Sequence, residues 1–131
     1  MSTLVALLLA TWSPGRTSTQ GRWQEIGTTR SGNPVFVERK SVHRNREGLV
    51  VATIRVVFTT PVKSPQGNLT ASRATATFDC AHNSFAALEN TTYFDEKQNR
   101  VFAHNVNKQP GFGPAIAGTF ADVALEHFCA K

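Results

Sequence analysis

The sequence predicts an α+β domain in which an antiparallel sheet of about five to six strands packs against one C-terminal helix. A long β-favouring run in the middle of the chain, shorter alternating runs around it, and helical spacing near the C-terminus carry this prediction. A chain of 131 residues can bury one hydrophobic core and is too short for two. We therefore expect a single domain over residues 22–131, preceded by a separate segment over residues 1–21.

The run from Gly48 to Thr60 is the longest β-favouring stretch and is predicted to be the central strand. Its even-numbered positions from Val50 to Phe58 are all apolar, whereas Thr53 and Arg55 interrupt the odd-numbered positions. This alternation is typical of a strand with one face on a core and the other face partly in water.

Shorter runs on both sides complete the predicted sheet. The predicted strands are Trp23–Ile26, Val35–Arg39, Thr70–Cys80, Phe85–Phe94 and Arg100–Val106. The alternation in the third of these predicts that Cys80 points inward, and the last offers Val101, Phe102 and Val106 for packing. The segment Thr60–Leu69 contains two prolines and a glycine, which predicts a long mobile connection.

The C-terminal segment changes to helical periodicity. Apolar residues recur with this spacing at Ile116, Phe120, Val123, Ala124 and Phe128. Thr119 followed by Asp122 resembles a capping box and predicts a helix that starts at Phe120. Cys129 falls in the last turn of this helix, close enough for a bond to Cys80.

The cysteines and the N-terminus indicate export. An even pair of distant cysteines, Cys80 and Cys129, indicates one structural disulfide and an oxidising compartment. The apolar segment Leu4–Ala10 matches the hydrophobic region of a secretory signal and is too short to span a bilayer. A short buried helix is the alternative interpretation of that segment. We therefore expect an exported protein with no transmembrane span.

The densest basic segment, Lys40–Glu47, is the candidate binding site. It contains four residues that can meet acidic groups: Lys40, His43, Arg44 and Arg46. Clustered Lys and Arg side chains donate to carboxylate, phosphate or sulfate, and the net charge of +5 favours acidic partners in general. A solvated loop without a partner is the alternative, because exposed connections are usually polar.

Catalytic and metal-binding patterns do not stand out in the sequence. It has no nucleophile elbow, phosphate-binding glycine loop or paired-carboxylate signature, and its four histidines are scattered. We therefore expect a protein that is not an enzyme and has no cofactor, no metal site and no specific nucleic-acid partner.

Several segments occur in the order and spacing of a known family. They are Trp23, Ile26-Gly27, Val35–Glu38, Ser41-Val42, Arg44, Gly48, the long strand, Ser72–Cys80 and Gly118–Cys129. On these residues the chain resembles the bacterial surface-adhesin protein E-like family over most of residues 22–131. The family often has Asp where Glu38 stands, and a tryptophan in the long strand where this chain has Thr53 and Ile54.

This resemblance implies a small exported protein of Gram-negative bacteria, located in the periplasm, on the outer-membrane surface or outside the cell. It also implies a curved antiparallel sheet packed against a helix, with a disulfide between Cys80 and Cys129. The founding member of the family is an adhesin that binds host matrix and serum proteins and can dimerise. The matching residues are structural, so the resemblance assigns no binding residue.

Three functions are compatible with these observations. The first is a non-enzymatic adhesin-like domain that binds a host or matrix protein, or another acidic macromolecule, through Lys40, Arg44 and Arg46. The second is a periplasmic or envelope structural module that works through sheet-edge contacts, including those of a homodimer. The third is a small enzyme or ligand carrier that uses the concave side of the sheet.

Overall fold

Residues 21–129 form one antiparallel sheet, one α-helix and one turn of 3-10 helix in the computed structural model. The strands are β1 (Trp23–Thr28), β2 (Pro34–Glu38), β3 (His43–Arg44), β4 (Val50–Ser64), β5 (Gly67–Asp79), β6 (Ser84–Asp95), β7 (Arg100–Val106) and β8 (Gly113–Pro114). The 3-10 turn is Arg39–Ser41, and helix α1 is Phe120–Phe128. The predicted signal segment lies outside the described residues, apart from Gly21.

The sheet confirms the predicted fold class and has more strands than expected. Its eight strands follow the order β1-β2-β4-β5-β6-β7, with β3 paired to β4 and β8 paired to β6. The six strands of the main path correspond to the six predicted ones. The two additional strands have two residues each, which is too short for alternation to reveal.

The predicted long connection over Thr60–Leu69 is wrong, because β4 and β5 continue through it as a hairpin. Cross-strand pairs link Val62 with Leu69 and Ser64 with Gly67, so that two residues remain for the turn between the strands. Pro61 lies where the register of the two strands shifts. Proline is tolerated at such an irregularity because its missing N–H removes no ladder bond there.

The core lies between the sheet and α1. Its buried members are Val35, Val37, Ala52, Ile54, Ala76, Phe78, Ala115, Ala121, Ala124 and Leu125. Phe78 packs at 5.4 Å between ring centres on Phe128 of the helix, and Phe85 packs at 5.8 Å on Phe120. These aromatic pairs connect the two ends of α1 to β5 and β6.

Helix α1 begins at Phe120 as predicted, although its first turn is capped differently. Thr119 occupies the N-cap position, but its hydroxyl donates to the carbonyl of Ile116. The Asp122 carboxylate accepts the N–H of Gly118 at 2.9 Å. Ile116 precedes the helix and is 61% exposed, so its predicted place in the apolar stripe is wrong.

The Cys80–Cys129 disulfide is present and anchors the end of α1 to the end of β5, with the two Cα atoms 5.6 Å apart. Cys80 itself is exposed, which corrects the prediction that it points inward. The strand ends at Asp79, whose carboxylate accepts the N–H of Ala81, so the alternation no longer applies at Cys80.

Strand β7 contributes little to the core. Val101 and Phe102 are each 41% exposed and Val106 is 59% exposed, so these residues, which the sequence offers for packing, lie outside the core. The reason is topological, because β7 is the last strand of the main path, whereas α1 packs mainly against β1, β2 and β4 and contacts β5 and β6 through Phe128 and Phe120. Phe102 packs instead on Phe94, at 5.5 Å between ring centres. Within residues 21–129 no helix is long and apolar enough to cross a membrane.

Candidate functional site

The side of the sheet that faces away from α1, which we call the helix-free face, carries the odd-numbered residues of β5 and those of β4 up to Val57. Arg55 pairs with Arg73 across the two strands, and Thr53 pairs with Thr75 two residues away on the same face. The two threonine hydroxyls lie 2.9 Å apart and share a hydrogen bond. Because side chains alternate along a strand, these residues point away from the core that contains Ile54.

Glu96 connects the two arginines. It lies directly after β6, in the turn that leads to β7. Arg55 donates to its carboxylate from Nε at 3.0 Å and Nη2 at 2.8 Å, and Arg73 donates from Nε at 2.8 Å. The side chain of Glu96 is 12% exposed and each arginine side chain is 25% exposed. This partial burial strengthens the two ion pairs relative to pairs in open water.

The ionised form of Glu96 is the stable one in the folded protein. Burial raises the pKa of its carboxyl group, because removal from water disfavours charge. Hydrogen bonds and charge from Arg55 and Arg73 lower the pKa and outweigh burial, so the net pKa lies below the ordinary value. Glu96 therefore remains a carboxylate at neutral pH.

Aromatic rings hold both guanidinium groups from the sides. Arg73 stacks between Trp23 and Tyr93, with its Cζ atom 5.1 Å from each ring centre. Arg55 lies 5.6 Å from the ring centre of Trp23 and 5.1 Å from that of Phe36. Such contacts fix a guanidinium plane while contributing cation–π attraction.

The position of Trp23 indicates that the sheet curves toward the helix-free face. Trp23 belongs to edge strand β1, whereas Arg73 belongs to β5, the fourth strand of the main path. A flat sheet would separate these strands by about 14 Å, since neighbouring strands lie roughly 4.8 Å apart. Their side chains nevertheless meet, with Cζ of Arg73 5.1 Å from the ring centre of Trp23, and such a contact is typical of the concave side of a curved sheet. We call Trp23, Arg55, Arg73, Tyr93 and Glu96 the arginine cluster.

A cleft of about 370 Å³ opens beside the arginine cluster. It is lined by Trp23, Arg55, Thr70, Arg73, Asp95, Glu96 and Lys97. The side chains facing it therefore combine an indole, three cationic groups and two carboxylates. This combination can bind a small anionic group next to an apolar surface.

The four predicted binding residues are all exposed, but they do not share one face. His43 and Arg44 pair with Val51 and Val50 respectively, and so point to opposite sides of the sheet. His43 donates from Nδ1 to the carbonyl of Ser41, and Arg44 donates to that of Gly48. Arg46 is exposed in the turn between β3 and β4.

Lys40 lies close to Arg22 and Glu38. It lines a second cleft together with Arg22 and Glu38, which form an ion pair of 2.8 Å. The guanidinium of Arg22 in turn stacks on Trp23 at 5.1 Å. Arg22 therefore contacts the arginine cluster and also lines the cleft that Lys40 lines.

Sequence reasoning did not identify Arg55, Arg73 and Glu96 as a site. The available signal was an arginine at a solvent-side position in each of two successive predicted strands. That signal becomes a site only when the register places the two residues opposite each other, and the register was not predicted. The role of Glu96 had no sequence signal, because it lies in a polar turn like its neighbours.

The fold and the helix-free face define a small disulfide-bonded α+β protein with one sheet face covered by a helix and the other carrying ionic and aromatic side chains. The chain belongs to the surface-adhesin protein E family, whose model matches residues 23–130. The structure of crystal form II of Haemophilus influenzae protein E has a similar fold, with a TM-score of 0.57 and 11% sequence identity. The match covers 85% of this chain and 89% of that chain. No curated protein sequence matches the chain.

Proposed function

We propose that this protein is an exported, non-enzymatic surface protein of the adhesin type that binds an extracellular protein of a host or its matrix. The observation that carries the proposal is the family match over residues 23–130. The predicted signal segment and the disulfide support export, since disulfides persist in oxidising compartments. Its location is then the outer-membrane surface or the cell exterior, whereas a periplasmic location would fit the structural module that is the second candidate function.

The chemistry of the helix-free face supports protein binding. Arginine, tryptophan and tyrosine are enriched in protein interfaces and at the positions that dominate binding energy. The arginine cluster presents arginine and tryptophan at the helix-free face, and the buried ring of Tyr93 supports Arg73. Its aromatic contacts hold Arg73 in place before a partner arrives, which reduces the entropy cost of binding.

The exposed basic residues of the segment Lys40–Glu47 support an acidic partner. Lys40, Arg44 and Arg46 are all exposed and belong to a protein with a net charge of +5. Exposed positive charge accelerates association with acidic surfaces and makes binding sensitive to salt. We propose that these residues contribute to the encounter with the partner.

The direct test is surface plasmon resonance with the oxidised protein over a panel of immobilised matrix and serum proteins. We expect saturable binding to at least one of them, which weakens as the salt concentration rises. Lys40→Gln/Arg44→Gln/Arg46→Gln should weaken this binding and flatten its salt dependence. The matched control neutralises three exposed basic residues elsewhere, Lys63, Arg100 and Lys108.

Two results would contradict the proposal. Binding to no member of the panel by the folded protein would remove the adhesin function. Equal effects of the two triple variants would remove the role of the segment Lys40–Glu47 and leave only a non-specific effect of net charge.

Exposed apolar residues on β7 favour a second candidate function, a structural module that associates through its sheet edge. Val101, Phe102 and Val106 are exposed on a strand at the end of the main path. Such an edge can pair with the same edge of a second copy. Sedimentation equilibrium should then detect a concentration-dependent dimer that Val106→Lys abolishes. A monomer at all concentrations would exclude this function.

A further inference from the structure

The arginine cluster has more hydrogen-bond donors than its own carboxylate uses. A guanidinium group carries five N–H donors. Arg73 uses Nε for Glu96, and no hydrogen bond of its Nη atoms is found among residues 21–129. Arg55 uses Nε and Nη2 for Glu96, and no hydrogen bond of its Nη1 atom is found among these residues either. These donors belong to two side chains that line the cleft of about 370 Å³.

Arg73 is placed so that it can bind a ligand group while it also forms an ion pair with Glu96. Its guanidinium lies between Trp23 and Tyr93, at 5.1 Å from each ring centre. A guanidinium fixed in this way loses little conformational freedom when it binds a second group. The geometry that a guanidinium fork matches best is a carboxylate or a phosphate. Arg55 already binds a carboxylate with its fork, because two of its nitrogens donate to Glu96.

The charges around the cleft favour a single carboxylate over a polyanion. Arg55, Arg73 and Lys97 contribute positive charge, and Asp95 and Glu96 contribute negative charge, so the lining has one net positive charge. One incoming carboxylate neutralises that excess. A sulfated or phosphorylated polymer would bring several charges against the carboxylates of Asp95 and Glu96.

We infer that this cleft recognises one carboxylate group of a partner protein, the side chain of an Asp or Glu residue. Arg73 donates from its Nη atoms to the incoming carboxylate, Lys97 adds positive charge, and the indole of Trp23 contacts the apolar part of the ligand. Glu96 remains ionised and holds both arginines. The inference rests on the proposed function, since it names the chemical group of the partner that the helix-free face binds.

The experiment uses the full-length oxidised protein with Trp12→Phe, which leaves Trp23 as the single indole. Its fluorescence is followed during titration with a blocked pentapeptide that has a central Glu between Gly and Ser residues. The same peptide with Gln in place of Glu is the control ligand. We expect the Glu peptide to bind about ten-fold more tightly, because hydrogen bonds to charged groups are the stronger ones. Equal affinities would overturn the inference.

A variant of Arg73 tests whether the guanidinium fork is responsible. Arg73→Lys keeps the charge but removes the fork, so the affinity for the Glu peptide should fall about five-fold or more. Lys63→Arg, on the exposed hairpin, is the matched control and should bind as the parent protein does. Unchanged affinity in Arg73→Lys would overturn the inference.

Two further arms need no variant of the cluster. Acetate, but not acetamide, should change the fluorescence of Trp23 at constant ionic strength, and identical responses would contradict the inference. If a heparin-derived hexasaccharide bound this cleft more tightly than the Glu peptide does, the inference would be wrong, and the ligand would be a sulfated glycan. None of these measurements uses the panel of matrix proteins, so failure here is distinguishable from failure of the proposed function.

Discussion

Arg55 and Arg73 lie directly opposite each other on β4 and β5, and both donate to the carboxylate of Glu96. Like charges in opposing positions of a sheet destabilise it. Glu96 converts this repulsion into two ion pairs and connects the turn after β6 to the centre of the sheet. The arginine cluster therefore stabilises the sheet as well as furnishing the cleft.

Removing the charge of Glu96 should show how much this residue stabilises the sheet. We expect Glu96→Gln to lower the free energy of unfolding by about 1–3 kcal/mol, because it leaves two partly buried guanidinium groups opposed. Urea denaturation measures this change. Glu47→Gln, at an exposed position in the turn before β4, is the matched control and should change stability by less than about 0.5 kcal/mol. Equal stabilities of the two variants would contradict a stabilising role for Glu96.

The same ion pairs should make stability depend on pH. The folded-state pKa of Glu96 lies below its ordinary value of 4.5. Its contribution is therefore complete above about pH 4.5 and is lost as the pH falls through the folded-state pKa. The difference in free energy of unfolding between the parent protein and Glu96→Gln should be constant near neutral pH and shrink in acid.

This comparison isolates Glu96 from a second acidic group. The pKa of Asp79 is also lowered, chiefly by the hydrogen bond from His82. Asp79 is present in both proteins, so its contribution cancels in the difference. A difference that stays constant down to the acid unfolding limit would contradict the role of Glu96 ionisation.

The disulfide should supply a large part of the stability. It closes a loop of 49 residues between Cys80 and Cys129, which corresponds to about 4 kcal/mol in the chain-entropy model. Helix α1 has nine residues and depends on its anchoring, since isolated helices of that length are marginal. Cys80→Ser/Cys129→Ser should therefore unfold at much lower urea concentration than the parent protein.

The oxidation state itself is measured by mass after alkylation under denaturing conditions. We expect label on both cysteines only after treatment with reductant. Label on both thiols without reductant, in protein recovered after export, would contradict the disulfide and with it the oxidising compartment.

Gly27 should tolerate no side chain, because it allows helix α1 to approach β1. A Cβ atom at this position would lie 2.6 Å from Cγ1 of Val123 on the helix. We expect Gly27→Ala to lower the free energy of unfolding by about 1–3 kcal/mol, as overpacking usually does. Gly111→Ala is the matched control, since no atom lies within 4 Å of its added Cβ. Similar urea midpoints for the two variants would contradict close packing at Gly27.

Local patterns were sufficient for most of the secondary structure. The alternation around β4 and the spacing around α1 predicted these elements, and the bounds of β7 and the first residue of α1 agree with the structure. Errors arose where the pattern is interrupted by residues that usually mark loops. Pro61 and Pro65 suggested a mobile connection, whereas the two strands pair on both sides of them in a long hairpin.

Burial was predicted less well than secondary structure, because it depends on what packs against each strand. The apolar residues of β7 have the composition of a core strand but lie away from the helix. Cys80 continues an inward-facing pattern in the sequence, yet the strand ends one residue earlier. Neither outcome can be read from the residues of a single element.

The sequence by itself determined the fold class, the pairing of its two cysteines and the resemblance to the family, because these depend on local periodicity and on residues spaced along the chain. The arginine cluster was decided by the tertiary structure alone. Arg55, Arg73 and Glu96 come from two strands and a turn, and Trp23 reaches them from β1, at the edge of the sheet. Register and curvature arise from the packing of the whole sheet, so no local pattern records them.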